Sequence, residues 1–295
     1  PAVNLRALAY DAARAVFRAA LAGDAAALIF EIARSECVYT DQRPAEYTAS
    51  VLAAAIKEGY RGPVFVQGDH FQVNAKKYGA DPDGELGAVM DITREAIAAG
   101  FYNIDVDTST LVDLDLPTLR DQQRLNAGLC AQLTRHVRAL EPAGVTVSVG
   151  GEIGEVGGRN STEDELAAFM AEYEQALGTD VVGLSKLSVQ TGTSHGGVVL
   201  PDGSLAQVKV DFDTLQRPSR HARRDYGMAG AVQHGASTLP ESAFGRFAEA
   251  EACEVHLATN FQTMLFERLP ADLHAEIDAW LLEAKADLRK SGETD

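Results

Sequence analysis

Residues 63–72 read PVFVQGDHFQ, a stretch that joins a strand signal to two chemically capable side chains. Residues 63–66 form an apolar, partly β-branched run, which predicts a buried strand. The run ends at Gly68-Asp69-His70, where a carboxylate stands beside an imidazole. At the mouth of a strand this pair suits a metal ligand next to a proton carrier, but a turn aspartate and a surface histidine explain the pair equally well.

The composition fits one large domain or two smaller ones, because 46% of the 295 residues are hydrophobic. We expect a single domain over residues 1–295. The net charge of −17 argues against nucleic acid or an anionic membrane as the main partner, and an anionic substrate would need a local positive site. The three widely spaced cysteines indicate no disulfide framework and fit a cytoplasmic location. No apolar run reaches transmembrane length, and no signal peptide is visible.

Strand, loop and helix signals alternate along the chain, a rhythm typical of parallel strands with helical crossovers. Helices are expected over residues 4–21 and 92–99, and a loop over the Gly-, Pro- and Asp-rich residues 76–87. About seven strands are visible, so the first strand of an eight-stranded barrel is expected at or before Pro1. The predicted fold is therefore an α/β protein with a (β/α)8 (TIM) barrel.

Polar side chains that can perform chemistry follow nearly every predicted strand. In a (β/α)8 barrel these strand ends converge on one face, which is where the active sites of that fold lie. The residues concerned are Asp69, His70, Asp107, Glu152, His195, His234 and His256.

Three histidines at three strand ends could bind one Zn²⁺ and leave a position open for substrate. These are His70, His195 and His234. Glu152 and Asp107 could act as further ligands, or accept hydrogen bonds from the imidazole N–H groups. The remaining histidines are expected to be solvated: His136 and His274 within helices, and His221 in a basic loop over residues 217–224.

Small residues follow two of the candidate ligands, at Gly196 and at Gly235-Ala236-Ser237. Small residues allow backbone N–H groups to approach an anion, and the serine hydroxyl adds a donor. Thr259 and Asn260, after the last strand, could add more donors. Ordinary tight loops remain the alternative explanation for each of these segments.

Five segments, in this order along the chain, resemble the class II (zinc-dependent) ketose-bisphosphate aldolases. They are VQGDHF (66–71), FYNIDVDTS (101–109), VSVGGEIGEVGG (147–158), TGTSHGG (191–197) and QHGAS (233–237). The resemblance implies a (β/α)8 barrel that forms a homodimer or homotetramer and binds one catalytic Zn²⁺. It leaves open a second cation, divalent or monovalent.

The resemblance also implies roles for individual residues. His70, His195 and His234 match the zinc ligands, Glu152 matches a glutamate that binds metal at an alternative position, and Asp107 matches an aspartate close to that site. Asp69 matches the acid that exchanges a proton with the aldehyde half of the substrate. The phosphate-binding positions match Gly196, Gly235, Ser237 and Thr259, and the family's Asn-x-Asp-Thr-Asp substrate segment matches residues 256–260, including His256 and Asn260.

The implied activity is that of a lyase in carbohydrate metabolism such as glycolysis. It would reversibly cleave a ketose bisphosphate, by default fructose 1,6-bisphosphate, to dihydroxyacetone phosphate and an aldehyde through a zinc-stabilised enediolate. Three alternatives stay open: an aldolase for another ketose phosphate such as tagatose 1,6-bisphosphate, a metal-dependent hydrolase, and an inert barrel that binds metal or sugar phosphate.

The sequence departs from the family pattern in several places. Gly150 stands where the signature has its first glutamate, and His256 and Ala258 replace an asparagine and an aspartate near the substrate. The glutamate of the family's mobile loop falls near Asn160, so its replacement would be Glu155, Glu163 or Glu165. Arg159 and residues 217–224 could hold a second phosphate, or could simply be solvated charge.

Overall fold

Eight parallel strands form a closed barrel in the computed structural model, which describes residues 1–154, 159–192, 210–237 and 239–285. The strands are β1 Ala2–Asn4, β2 Leu28–Ala33, β3 Val64–Gln72, β4 Asn103–Asp107, β5 Ser148–Glu152, β6 Lys186–Val189, β7 Ala231–Gln233 and β8 Glu254–Leu257. Each strand pairs in parallel with the next, and β8 pairs with β1. The predicted (β/α)8 barrel is confirmed.

Helices surround the barrel and connect its strands. They are α1 Ala9–Ala22, α2 Arg34–Tyr39, α3 Pro44–Glu58, α4 Ala75–Ala80, α5 Pro82–Ala98, α6 Leu119–Leu140, α7 Glu163–Leu177, α8 Phe212–Tyr226, α9 Phe244–Glu249, α10 Thr259–Phe266 and α11 Ala271–Ala284. None of the helices described here is long and apolar enough to cross a membrane.

The first strand lies just after Pro1 rather than at or before it. Ala2 pairs with Ile29 of β2 on one side and with His256 of β8 on the other, so this three-residue strand closes the barrel. The helix predicted to start at residue 4 begins instead at Ala9.

The prediction of a loop over residues 76–87 is wrong, because all of these residues except Asp81 belong to α4 and α5. The side chains of Asn74 and Asp81 accept hydrogen bonds from the first turns of the two helices, and Pro82 occupies the first position of α5. Such caps satisfy N–H groups that have no partner within a helix, so residues typical of turns can start helices. The basic stretch 217–224 is likewise helical, within α8.

The apolar core lies between the barrel and its helices, whereas the interior of the barrel is largely polar. Phe30 of β2 faces outward and packs on Phe17 of α1, with ring centroids 4.9 Å apart. Glu31, Gln67, Asp105 and Lys186 of the strands are buried, and the side chain of Glu254 is 10% exposed. Barrels of this fold are usually filled by branched aliphatic side chains, so this interior is unusual.

Candidate active site

The end of β3 is distorted in a way that redirects its side chains. His70 has φ = 41°, in the left-handed region, and the register with β4 shifts between Gly68 and Phe71. A Cβ atom at Gly68 would lie 2.5 Å from the Phe71 ring, so only glycine fits there. Such bulges often occur beside active sites, where they change the direction of a side chain.

His70 lies against two carboxylates contributed by the next two strands. Its Nδ1 is 2.9 Å from Asp107 Oδ2 and 3.5 Å from Glu152 Oε2. Burial opposes protonation of the ring, but the charge of Asp69 and the hydrogen bond with Asp107 hold the pKa of His70 well above its ordinary value. Burial and the nearby charge of Asp107 raise the pKa of Glu152 well above its ordinary value.

Asp69 and His234 complete the same cluster. The ring centroids of His70 and His234 are 4.4 Å apart, and His234 Nδ1 lies 4.0 Å from Asp69 Oδ1. Ser188 Oγ is 3.0 Å from His234 Nε2. Burial opposes ionisation of Asp69, but the charge of His70 and the hydrogen bond with His256 hold its pKa well below its ordinary value.

The donor atoms of His70, Glu152 and His234 lie within 4.8 Å of one another, close enough to hold one metal ion. Two imidazoles and a carboxylate are ligands that Zn²⁺ accepts at catalytic sites. Asp69, His234 and His256 form a second such group that shares His234. The expected ligand His195 and its neighbour Gly196 lie outside the described residues.

His256 forms part of the wall of the site, and both of its ring nitrogens lie against carboxylates. Nδ1 is 3.0 Å from Glu31 Oε2 and 3.2 Å from Asp69 Oδ1, while Nε2 is 2.7 Å from Glu254 Oε1. Burial disfavours the protonated ring, but Glu31 and Asp69 hold the pKa of His256 well above its ordinary value. Burial and the charge of Asp69 raise the pKa of Glu31 to about 7.

A cavity of about 580 Å³ opens onto this cluster. Its walls include Asp69, His70, His234 and His256, together with the expected phosphate-binding residues Gly235, Ser237 and Thr259. Asn260, by contrast, is exposed and does not line the cavity.

The loops after β7 and β8 are tied together beside the cavity. Ser237 Oγ accepts a hydrogen bond from the Ala258 N–H at 2.6 Å. Arg6, which follows β1, donates to Thr259 Oγ1 at 3.3 Å and pairs with Glu36 at 2.9 Å. An arginine therefore lies beside the segments expected to bind phosphate, on a chain whose net charge is strongly negative.

The described candidates for the missing loop glutamate lie away from this cavity. Glu163 and Asn160 line a separate cavity of about 420 Å³, together with Arg217. Glu165 accepts hydrogen bonds from the Thr162 backbone N–H at 2.9 Å and from Arg159 at 2.5 Å, and so caps α7. The third candidate, Glu155, lies outside the described residues.

The glycine at position 150 has a steric explanation. A Cβ atom there would lie 2.3 Å from Asp105 Oδ1 and 3.1 Å from Lys186 Cε. The Asp105–Lys186 ion pair, with N···O at 3.0 Å, therefore occupies the space where a larger residue would enter the barrel. Sequence reasoning missed the interior residues Glu31, Lys186 and Glu254; the signal that could have found Glu31 was an ionisable residue inside an otherwise apolar strand.

Several solved structures share the fold at low sequence identity. A fructose-bisphosphate aldolase from Campylobacter jejuni is 16% identical with a TM-score of 0.54, covering 98% of this chain and 78% of its own. A probable tagatose 6 phosphate kinase from Sinorhizobium meliloti 1021 is 18% identical with a TM-score of 0.62, covering 90% of this chain and 66% of its own. A fructuronate-tagaturonate epimerase from Cohnella laeviribosi is 14% identical with a TM-score of 0.64, covering 100% of this chain and 65% of its own.

The chain spans just under two thirds of the length of the last two proteins, and at these identities the likeness is one of fold. The sequence profile of the family described as "Fructose-bisphosphate aldolase class-II" matches residues 1–293, nearly the whole chain. The chain therefore belongs to the class II fructose-bisphosphate aldolase family.

Proposed function

We propose that the protein is a metal-dependent class II aldolase acting on a ketose bisphosphate, by default fructose 1,6-bisphosphate. The products would be dihydroxyacetone phosphate and an aldehyde. The observation that carries the proposal is the position of Asp69: its carboxylate lies beside His70 and His234 in the wall of the cavity, at the carboxyl ends of the strands. An acid next to a metal-binding cluster is the arrangement that aldol cleavage requires.

The metal in this proposal is one Zn²⁺ held by His70, His234 and the undescribed His195, with Glu152 as an alternative ligand. The donor set of the described residues fits, since nitrogen and carboxylate oxygen atoms converge within 4.8 Å. A bound Zn²⁺ would act as a Lewis acid on the substrate ketone. Asp107 orients His70 through its contact with Nδ1, as carboxylates do beside zinc-bound histidines.

Asp69 is assigned the proton transfer at the hydroxyl or carbonyl oxygen of the aldehyde half. The three neighbouring histidines favour its ionised form, which is the form needed to accept a proton from the substrate hydroxyl in the cleavage direction. In the condensation direction the same oxygen atom would return that proton.

The phosphate of the dihydroxyacetone phosphate half is assigned to Gly235, Ser237 and Thr259, together with the undescribed Gly196. Gly235 has φ = 69°, which lets its backbone turn sharply after His234. Arg6 lies next to Thr259 and would supply the positive charge that an anionic substrate needs.

We further propose a cytoplasmic homodimer or homotetramer. Every residue of α11 is at least partly exposed, and its apolar side chains Leu273, Trp280 and Leu281 are 41%, 56% and 46% exposed. Apolar residues of this size, grouped on one helix, commonly mark a contact between proteins.

The test is a substrate screen with the zinc-loaded protein. Release of triose phosphate is followed by a coupled assay with fructose 1,6-bisphosphate, tagatose 1,6-bisphosphate and the corresponding monophosphates. We expect cleavage of at least one bisphosphate. Preference for the tagatose compound would revise the substrate, while hydrolysis without triose phosphate release, or binding without turnover, would contradict the aldolase proposal.

A further inference from the structure

The barrel interior below the cavity holds a series of charged side chains, each in contact with the next, that ends at Asp69. Lys186 Nζ lies 2.6 Å from Glu254 Oε1, and the same carboxylate oxygen is 2.7 Å from His256 Nε2. The other ring nitrogen of His256 is 3.2 Å from Asp69 Oδ1. Side chains from β6, β8 and β3 thus form one continuous sequence of contacts.

The side chains of this series also make contacts with other residues of the barrel interior. Lys186 Nζ also lies 3.0 Å from Asp105 Oδ1 and donates to Gln67 Oε1 at 2.8 Å. The amide group of Gln67 in turn donates to Glu254 Oε1 at 2.7 Å and to Glu31 Oε2 at 3.0 Å. Since the side chains of Lys186 and His256 are only 4% exposed, these contacts are not weakened by water as surface ion pairs are.

The imidazole of His256 has little capacity left for a substrate, because both of its nitrogens already lie within 3.2 Å of carboxylates. Its effect on the reaction is therefore exerted through Asp69, which it contacts. A ring fixed on one edge by Glu254 determines where its other edge holds Asp69.

We propose that His256 is a positioning residue for Asp69, and that the buried Lys186–Glu254 pair fixes the His256 ring in the orientation that this requires. The inference rests on the proposed aldolase function, in which Asp69 transfers the proton. The Lys186–Asp105 pair also occupies the space beside Gly150. The glutamate that the family signature has at this position would collide with that pair, so the glycine accompanies this series of charged side chains.

A cation site is the competing explanation for the same residues. Glu31, Glu254 and His256 offer donor atoms within 4.8 Å of one another. The ammonium group of Lys186, 2.6 Å from Glu254, opposes that explanation because it already supplies the positive charge and would repel an added cation.

Glu254→Gln is the decisive variant, because Glu254 neither lines the cavity nor contacts Asp69 directly. We expect kcat for cleavage to fall by about 30-fold in Glu254→Gln, with KM changed by less than about threefold. Exchange of the carbon-bound proton of dihydroxyacetone phosphate with D₂O, which does not involve Asp69, should stay within about twofold of wild type.

Combining Glu254→Gln with Asp69→Asn distinguishes a positioning role of Glu254 from a general loss of structure. If Glu254 acts through Asp69, the double variant Asp69→Asn/Glu254→Gln should cleave no more slowly than Asp69→Asn alone. The matched control is Arg138→Met, which removes another largely buried cation, paired with Glu141 at the opposite end of the barrel. It should lower the melting temperature and leave kcat unchanged.

Three outcomes would overturn the inference: a parallel loss of cleavage and proton exchange, multiplying losses in the double variant, or loss of a bound metal ion on Glu254→Gln. Crystal structures of zinc-loaded wild type and Glu254→Gln decide the case even if the protein has no aldolase activity. The Asp69–His256 contact should be broken in the variant, and its persistence at the wild-type distance would contradict positioning. Absence of both cleavage and exchange in wild type would instead contradict the proposed function.

Discussion

The imidazole rings of His70 and His234 lie with their centroids 4.4 Å apart, although His70 belongs to β3 and His234 follows β7, four strands away in the barrel. β3 and β7 are not neighbours in the sheet, so the contact exists only because the barrel closes. Asp107 holds His70 from one side and Ser188 lies against His234 from the other. The two rings are thus each oriented by a neighbouring side chain.

His234→Ala should lower zinc affinity by at least about 100-fold, because it removes a donor from the shared cluster. The control is His136→Ala, whose ring contacts the Met90 carbonyl group on the outer helices. Zinc competition against a chromophoric chelator measures both. Equal zinc affinity in the two variants would show that His234 is not a ligand.

Asp69→Asn should reduce kcat for cleavage by about 10³-fold, since an amide of the same shape cannot accept the proton. Zinc content should be unchanged. Proton exchange of dihydroxyacetone phosphate, followed by NMR in D₂O, should persist. If exchange disappears together with cleavage, Asp69 serves the other half of the substrate and its assignment is wrong.

Gly150→Ala should destabilise the protein by about 2 kcal/mol, because the new Cβ would overlap the pinned Asp105 carboxylate. Gly128→Ala is the matched control: a Cβ there, within α6, has no neighbour within 4 Å. That substitution should stabilise the helix by up to about 1 kcal/mol. Chemical denaturation of both variants measures the difference, and equal effects would contradict the steric explanation.

The Glu85–Arg34 pair should make stability depend on pH. Burial opposes ionisation of Glu85, but the hydrogen bonds from Arg34 and the Asn74 N–H hold its pKa below the ordinary value. A lowered folded-state pKa adds stability above the unfolded pKa, and this is lost as pH falls through the folded pKa. Glu85→Gln should therefore cost about 2 kcal/mol at pH 7 and progressively less below pH of about 4.5. A cost that is constant from pH 7 to pH 3 would contradict this account.

The sequence was sufficient to predict the barrel, because its strands alternate with helices and end in polar residues. It also predicted that Asp69, His70, Asp107, Glu152 and His234 meet, since the strand ends of a closed barrel converge. Local signals misled where side-chain caps decide the structure, as in the turn-like residues 76–87 that form α4 and α5.

The charged interior could not be predicted for a different reason. Glu31 stands in the apolar segment ALIFEI, and nothing nearby in the sequence indicates its partners. Gln67 contacts it through the pairing of β2 with β3, whereas His256 on β8 approaches it only when the barrel closes. Lys186 lies on β6, whereas Glu254 and His256 lie on β8. Their contacts therefore depend on how these strands are arranged in the closed barrel, which the sequence does not reveal.

We expect that metal bound at the His70–His234 cluster is required for carbon–carbon bond cleavage. The most direct measurement is triose phosphate release from fructose 1,6-bisphosphate, or the best substrate of the screen, by the same protein before chelation, after chelation and after zinc is restored. We predict that activity disappears on chelation and returns with zinc. Full cleavage activity in verified metal-free protein would contradict the account.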